Sequence, residues 1–164
     1  MAARRARETE VSRPYYLALL AEVHGKAGQA EEGLSALAEA LDVVHKTGER
    51  FYEAELYRLK GELTLKKSGV RSPKSGVRST QHPTPSPQAE AEAEACFHKA
   101  IEIARQQSAK SLELRAVMSL SRLWQQQGKR KQARQMLAKI YGWFTEGFDT
   151  KDLQEAKALL EELA

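Results

Sequence analysis

The sequence predicts an all-α protein, an α-solenoid of three helical hairpins at a period of 40 residues with a C-terminal capping helix. Three observations predict it. The same small and apolar slots recur in three blocks when Leu20-Ala21, Lys60-Gly61 and Leu120-Ser121 are aligned. The step from Ala21 to Gly61 is 40 residues and that from Gly61 to Ser121 is 60. The excess of 20 equals the length of Ser68 to Pro87, a stretch unlike its surroundings. Without it the period is uniform, and a fixed period of this size means that each unit buries its apolar face on the next.

The elements follow in order. Residues 1–12 are Arg-rich and are expected to form a flexible basic tail. The first repeat, 13–48, carries Leu17, Leu20, Ala21, Gly28, Gly33, Leu37 and Ala40. The second, 49–108, carries Tyr57 and Gly61 before the insertion and Ala93, Phe97 and Ala100 after it. The third, 109–147, carries Val117, Leu120, Ser121, Gly128, Ala133, Leu137 and Ile140. Two antiparallel helices approach closely where the facing residues are small, so Ala21, Gly61 and Ser121 are expected to meet Gly33, Ala93 and Ala133. Gly28 and Gly128 supply the left-handed conformation that ends the first helix of a hairpin. Residues 148–164 form the capping helix, with Asp149-Thr150 offering a side-chain N-cap and Leu153, Ala156, Leu159, Leu160 and Leu163 forming one apolar face.

The insertion at 68–87 repeats Ser-Gly-Val-Arg-Ser at Ser68–Ser72 and Ser75–Ser79 and holds four of the five prolines. Proline fixes φ and lacks an N–H, so helix cannot continue, and a disordered loop inside the middle hairpin is expected. Ser72-Pro73 and the Pro-rich run read as a docking or modification site, or the segment is a tolerated duplication. The acidic run Gln88–Ala95 restarts the second helix, with its carboxylates near the positive helix N-terminus.

The net charge of +4 invites a nucleic-acid reading, but the excess is local. Residues 1–13 hold four Arg and two Glu, a net +2, and 68–87 hold Arg71, Lys74 and Arg78, a net +3; removing both leaves −1 for the helical body. Without interleaved aromatics this is a weak phosphate footprint. Cys96 is the only cysteine, which excludes a disulfide framework and fits a reducing compartment. Cys96 and His98 are two apart on a helix and point in different directions, so they do not make a metal pair. His24 reads as a packed, hydrogen-bonded core histidine, His45 and His82 as exposed, and Trp124 and Trp143 as inter-helix packing. No catalytic constellation, cofactor motif or phosphate loop is present, so no enzymatic activity is expected. No targeting or membrane-spanning run is present, and a cytoplasmic location is expected.

The slots quoted above resemble the tetratricopeptide (TPR) family: an aromatic or Leu, then Leu-Gly or Leu-Ala, a Gly turn, then Ala, an aromatic or Leu, and Ala. The resemblance covers Arg13 to Gly147 apart from the insertion, with Lys60, Gly33 and Ile140 departing from the pattern. A period of 40 exceeds the standard 34-residue unit and is similar to the arrays of bacterial signalling ATPases. The run Ile140–Leu163 resembles the tail that closes bacterial fusions of a class III adenylate or guanylate cyclase with an ATPase. This implies that the chain belongs to or derives from a larger protein, consistent with its start just before the first helix.

The resemblance implies a right-handed α-solenoid and a protein-interaction scaffold that binds a protein or peptide segment in a concave groove lined by the first helix of each hairpin. Carried onto this sequence, the groove slots are Tyr15, Glu22 and Lys26; Glu55, Arg58, Glu62 and Lys66; and Arg115, Met118, Arg122 and Gln125. The bland reading of these residues is a solvated face. The alternatives for the whole chain are a spacer or sensor arm without its own ligand, controlling an attached ATPase or cyclase domain, and a weak nucleic-acid binder through the basic tail and loop.

Overall fold

The computed structural model describes residues 2–69 and 85–164, with side chains described from residue 12 onward. The described residues form seven helices and no strand: α1 (Ala2–Lys26), α2 (Ala30–Thr47), α3 (Glu53–Gly69), α4 (Pro87–Gln106), α5 (Lys110–Gln126), α6 (Arg130–Tyr141) and α7 (Lys151–Glu162). The protein is all-α. Its residues fall into two compact units, one of 1–50 with 59–93 and the other of 51–58 with 94–164, so that the divisions fall within α3 and α4.

In the first unit, α1 and α2 pack as a hairpin. The sequence expectation is a flexible tail over 1–12 and a first repeat beginning at Arg13. α1 instead runs from Ala2 through Pro14, across the stretch expected as a tail. Ala2, Ala3, Ala6 and the neighbouring arginines are strong helix formers, and their propensity outlasts the hydrogen bond that Pro14 removes. α2 buries Gly33, Ala36, Leu37, Ala40 and Val44 at helical spacing. It ends at Gly48, whose φ of 73° lets its N–H reach the Val44 carbonyl at 2.9 Å.

Gly33 is where α1 and α2 cross. A Cβ there would lie 3.2 Å from the Ala21 carbonyl oxygen and 2.7 Å from Leu63 Cδ1, and a Cβ on Gly25 would lie 2.7 Å from Leu63 Cδ2. Leu63 of α3 therefore fills a notch left by two glycines of the preceding hairpin. Gly61 and Ala93 are both buried, as their slots require.

In the second unit, α5 and α6 form a hairpin, and α7 packs on both. Ser121 Oγ donates to the Ala133 carbonyl at 3.4 Å, which places this pair at the crossing as expected. The α5–α6 turn reproduces the α1–α2 turn 100 residues earlier. Lys129 N–H reaches the Trp124 carbonyl at 2.8 Å, as Gln29 N–H reaches that of His24 at 2.9 Å, and φ is 77° at Gly128 and 78° at Gly28. α7 buries Leu153, Ala156, Leu159 and Leu163, with Leu160 half-buried. Its start differs from expectation: Thr150 occupies the N-cap position in extended conformation, but its hydroxyl donates backward to the Gly147 carbonyl at 2.7 Å and makes no cap hydrogen bond. Trp143 also differs, being exposed beside Phe144 with the Lys110 ammonium over its ring. Cys96 and Phe97 are buried as expected.

Of the expected insertion, 70–84 lie outside the described residues. Its described ends meet: Ser86 N–H donates to Ser68 Oγ at 2.8 Å. Ser86 Oγ then accepts the Ala89 N–H at 3.2 Å and so caps α4.

Candidate functional site

The candidate groove residues divide between the two units. In the second unit they form an ion-pair network rather than a free face. Arg58 clamps Glu55 through Nε at 2.9 Å and Nη2 at 2.7 Å, a fork that satisfies both carboxylate oxygens. Arg115 of α5 reaches the same carboxylate at 3.0 Å. Arg58 Nη1 also donates to Ser119 Oγ at 3.4 Å, and that hydroxyl donates to the Arg115 carbonyl at 3.2 Å. Glu55 is only 2% exposed.

This corrects the expectation that Arg58 lies on an exposed face. Arg58 is buried, and so is Met118. A carboxylate taken out of water needs partners to offset its lost hydration, and two guanidiniums supply them. Arg115 is half-buried and faces Asp152 of α7 at 3.9 Å; Arg122 remains exposed but pairs with Glu155 of α7 at 3.1 Å. The acidic side of α7 thus answers the basic side of α5. Gln125 is half-buried.

In the first unit the candidates stay closer to solvent. Tyr15 is exposed, with its ring edge-on to Tyr16 at 5.6 Å. Glu22 and Lys26 pair at 2.9 Å one turn apart. Glu62 is half-buried, and the exposed Lys66 donates to the Gly25 carbonyl at 3.3 Å. The Glu22–Lys26 ion pair is largely solvated and of small energetic weight, so a ligand can displace it at little cost.

Sequence reasoning missed two buried carboxylates, Glu53 and Glu113, which stand 60 residues apart at the slot expected to correspond in the second and third repeats. Glu113 accepts from Arg105 Nε at 2.7 Å and Lys110 Nζ at 2.8 Å. Burial pushes its carboxyl up, but the hydrogen bonds from Lys110 and Arg105, together with their charges, outweigh that and hold it below its ordinary value. The recurrence of Glu at one slot was the available signal. Trp124 packs as expected but also donates its indole N–H to Glu94 at 2.9 Å, with Lys129 over its ring. His24 is half-buried, with Nδ1 2.9 Å from Gln29 Oε1 in the turn.

The first unit also holds a cleft of about 470 Å³. Leu34, Ala38, Leu41 and Ala89 form its apolar wall, and Lys60, Thr64 and Ser68 part of its polar rim. Among the described residues no group of three or more His, Cys, Asp or Glu side chains is arranged to hold a metal ion, and no helix is long and apolar enough to cross a membrane. Comparison with protein-family models, curated proteins and solved structures finds no match.

Proposed function

We propose that this chain is a non-enzymatic, TPR-like protein-interaction module, its hairpins repeating as an α-solenoid, that binds a protein segment on the exposed first-helix surface of its first unit. The observation that carries the reading is the different fate of equivalent slots. Glu55, Arg58 and Arg115 are taken up with one another in a buried network, whereas Glu22 and Lys26 pair one turn apart near the surface and Tyr15 and Lys66 are exposed. An aromatic ring flanked by charges of both signs suits an extended or helical segment, with the ring giving area and the charges giving orientation. The resemblance of 140–163 to the tail of cyclase–ATPase fusions supports a place in bacterial signalling, as the interaction arm of such a protein.

The test uses the purified full chain as bait. A Tyr15→Ser, Lys26→Glu variant should keep its helical circular-dichroism spectrum and lose, by about tenfold or more, affinity for a segment that the wild type binds, since each change removes contact area or reverses charge. Arg58→Ala is not a binding variant, because it strands Glu55. Unchanged affinity in the double variant overturns the groove assignment. Binding that follows the salt concentration steeply and is competed by a mixed-sequence oligonucleotide points instead to the basic segments.

A further inference from the structure

Helix α1 is apolar on two opposite faces. At 100° per residue, the buried positions Pro14, Ala18, Ala21 and Gly25 form one stripe, which packs in the first unit. Tyr16, Leu20 and Val23 form a second stripe on the far side of the same helix, with Leu19 at its margin. All four are exposed, Tyr16 by 64%, Leu20 by 46% and Val23 by 62%. A helix apolar on both sides is a helix made to be covered on both sides.

The later first helices show what the second stripe is for. Forty residues on, Leu56, Leu59 and Leu63 are buried in α3; Ala116, Ser119, Leu120 and Leu123 are buried in α5; and Ala156, Leu159 and Leu163 are buried in α7. Val23 is the counterpart of Leu63, the side chain seated against Gly25 and Gly33. Leu63 is 2% exposed and Leu123 1%. α1 carries the same knob, and no described residue seats it.

We infer that this stripe is the interface of a homodimer, in which α1 of one chain pairs with α1 of a second copy about a two-fold axis. Two arguments select a second copy in this arrangement. With Tyr15 beside them, the four side chains expose on the order of 500 Å² of mostly apolar surface per chain, at the upper end of what a monomer leaves open. Two such faces together reach the roughly 1,000 Å² that a specific interface needs. The knob also has no notch to enter on another copy: the Gly25–Gly33 notch holds Leu63, and the face of the last hairpin is taken by α7. Head-to-tail addition is thereby blocked, and an isologous pairing of the open faces remains. Tyr15 borders both this stripe and the proposed binding surface, whereas Glu22 and Lys26 lie outside the stripe, so Lys26→Glu alone and the stripe variants below test the two readings separately.

Sedimentation equilibrium of the full chain over a wide concentration range tests the inference. The wild type should show the mass of two chains at high concentration. Leu20→Glu with Val23→Glu should weaken self-association on the order of a hundredfold or more, since two apolar side chains are lost from a desolvated interface. Both positions are exposed in the single chain, so helix content should be unchanged, and the milder Val23→Ser guards against a folding artefact. Phe51→Glu, at the exposed Phe51 in the turn before α3, should leave the dimer intact. Leu20→Cys should give a disulfide-linked dimer on mild oxidation, while the buried Cys96 does not. A wild type that stays monomeric throughout overturns the inference and leaves the stripe to another protein's helix. A dimer that survives the double Glu variant, or one lost in Phe51→Glu, overturns it as well.

Discussion

Ser108 is the residue at which local conformation and side chain disagree. It sits at φ 55°, among the described residues the one non-glycine with positive φ, and Gly48, 60 residues earlier, takes a similar angle of 73° at the end of α2. An L-residue in the left-handed region is strained by about 1–2 kcal/mol, of which glycine returns part as unfolded-chain entropy. Ser108→Gly should therefore raise stability by about 0.5–1 kcal/mol in urea melts. Gly48→Ala should lower it by a similar amount. Equal and opposite shifts identify the two turns as one device. The serine itself was readable, but its backbone angle was not: nothing in Gln-Gln-Ser-Ala announces that the chain must reverse there, whereas Gly28 and Gly128 announce it openly.

At the scale of elements, the carboxylate of Glu113 ties the end of α4 to the start of α5. Arg105 comes from one side of the turn and Lys110 from the other. The carboxyl is lowered from 4.5 in the folded protein, so the unfolded chain binds more protons through that region. Its stabilisation is complete above the unfolded value and is lost as pH falls through the folded one. Urea midpoints measured from neutral pH downward should fall in acid, and Glu113→Gln should flatten that acid slope. At neutral pH the substitution should cost about 1–3 kcal/mol, because two charged donors lose their acceptor. An unaltered slope would show that Glu113 does not set the acid sensitivity.

For the molecule as a whole, the insertion can be tested by removing it. Ser68 and Ser86 are already joined by a hydrogen bond, so the ends of α3 and α4 need no long connection. Replacing 70–84 with a short Gly-Ser link should leave helicity and cooperative unfolding nearly intact, since loop closure changes by only about 0.6 kcal/mol per doubling of length. A large fall in melting temperature would mean that 70–84 pack on the body.

The all-α class, the hairpin turns and the small-residue crossings at Gly33 and Ser121 were legible in the linear sequence. They depend on helical periodicity and on glycine's access to positive φ, which are properties of neighbouring residues. Charge was legible only as an amount. Glu55, Arg58 and Arg115 read as a solvated face because each, taken alone, favours water. The burial of Glu55 draws on Arg115, 60 residues away, which supplies the opposite charge at 3.0 Å beside the Arg58 fork one turn on. The same holds for the apolar side chains of α1. Tyr16, Leu20 and Val23 have the pattern of core residues, and only the folded chain reveals that none of the described helices covers them. Periodicity selects which residues must leave water, and the three-dimensional arrangement decides which of them have somewhere to go.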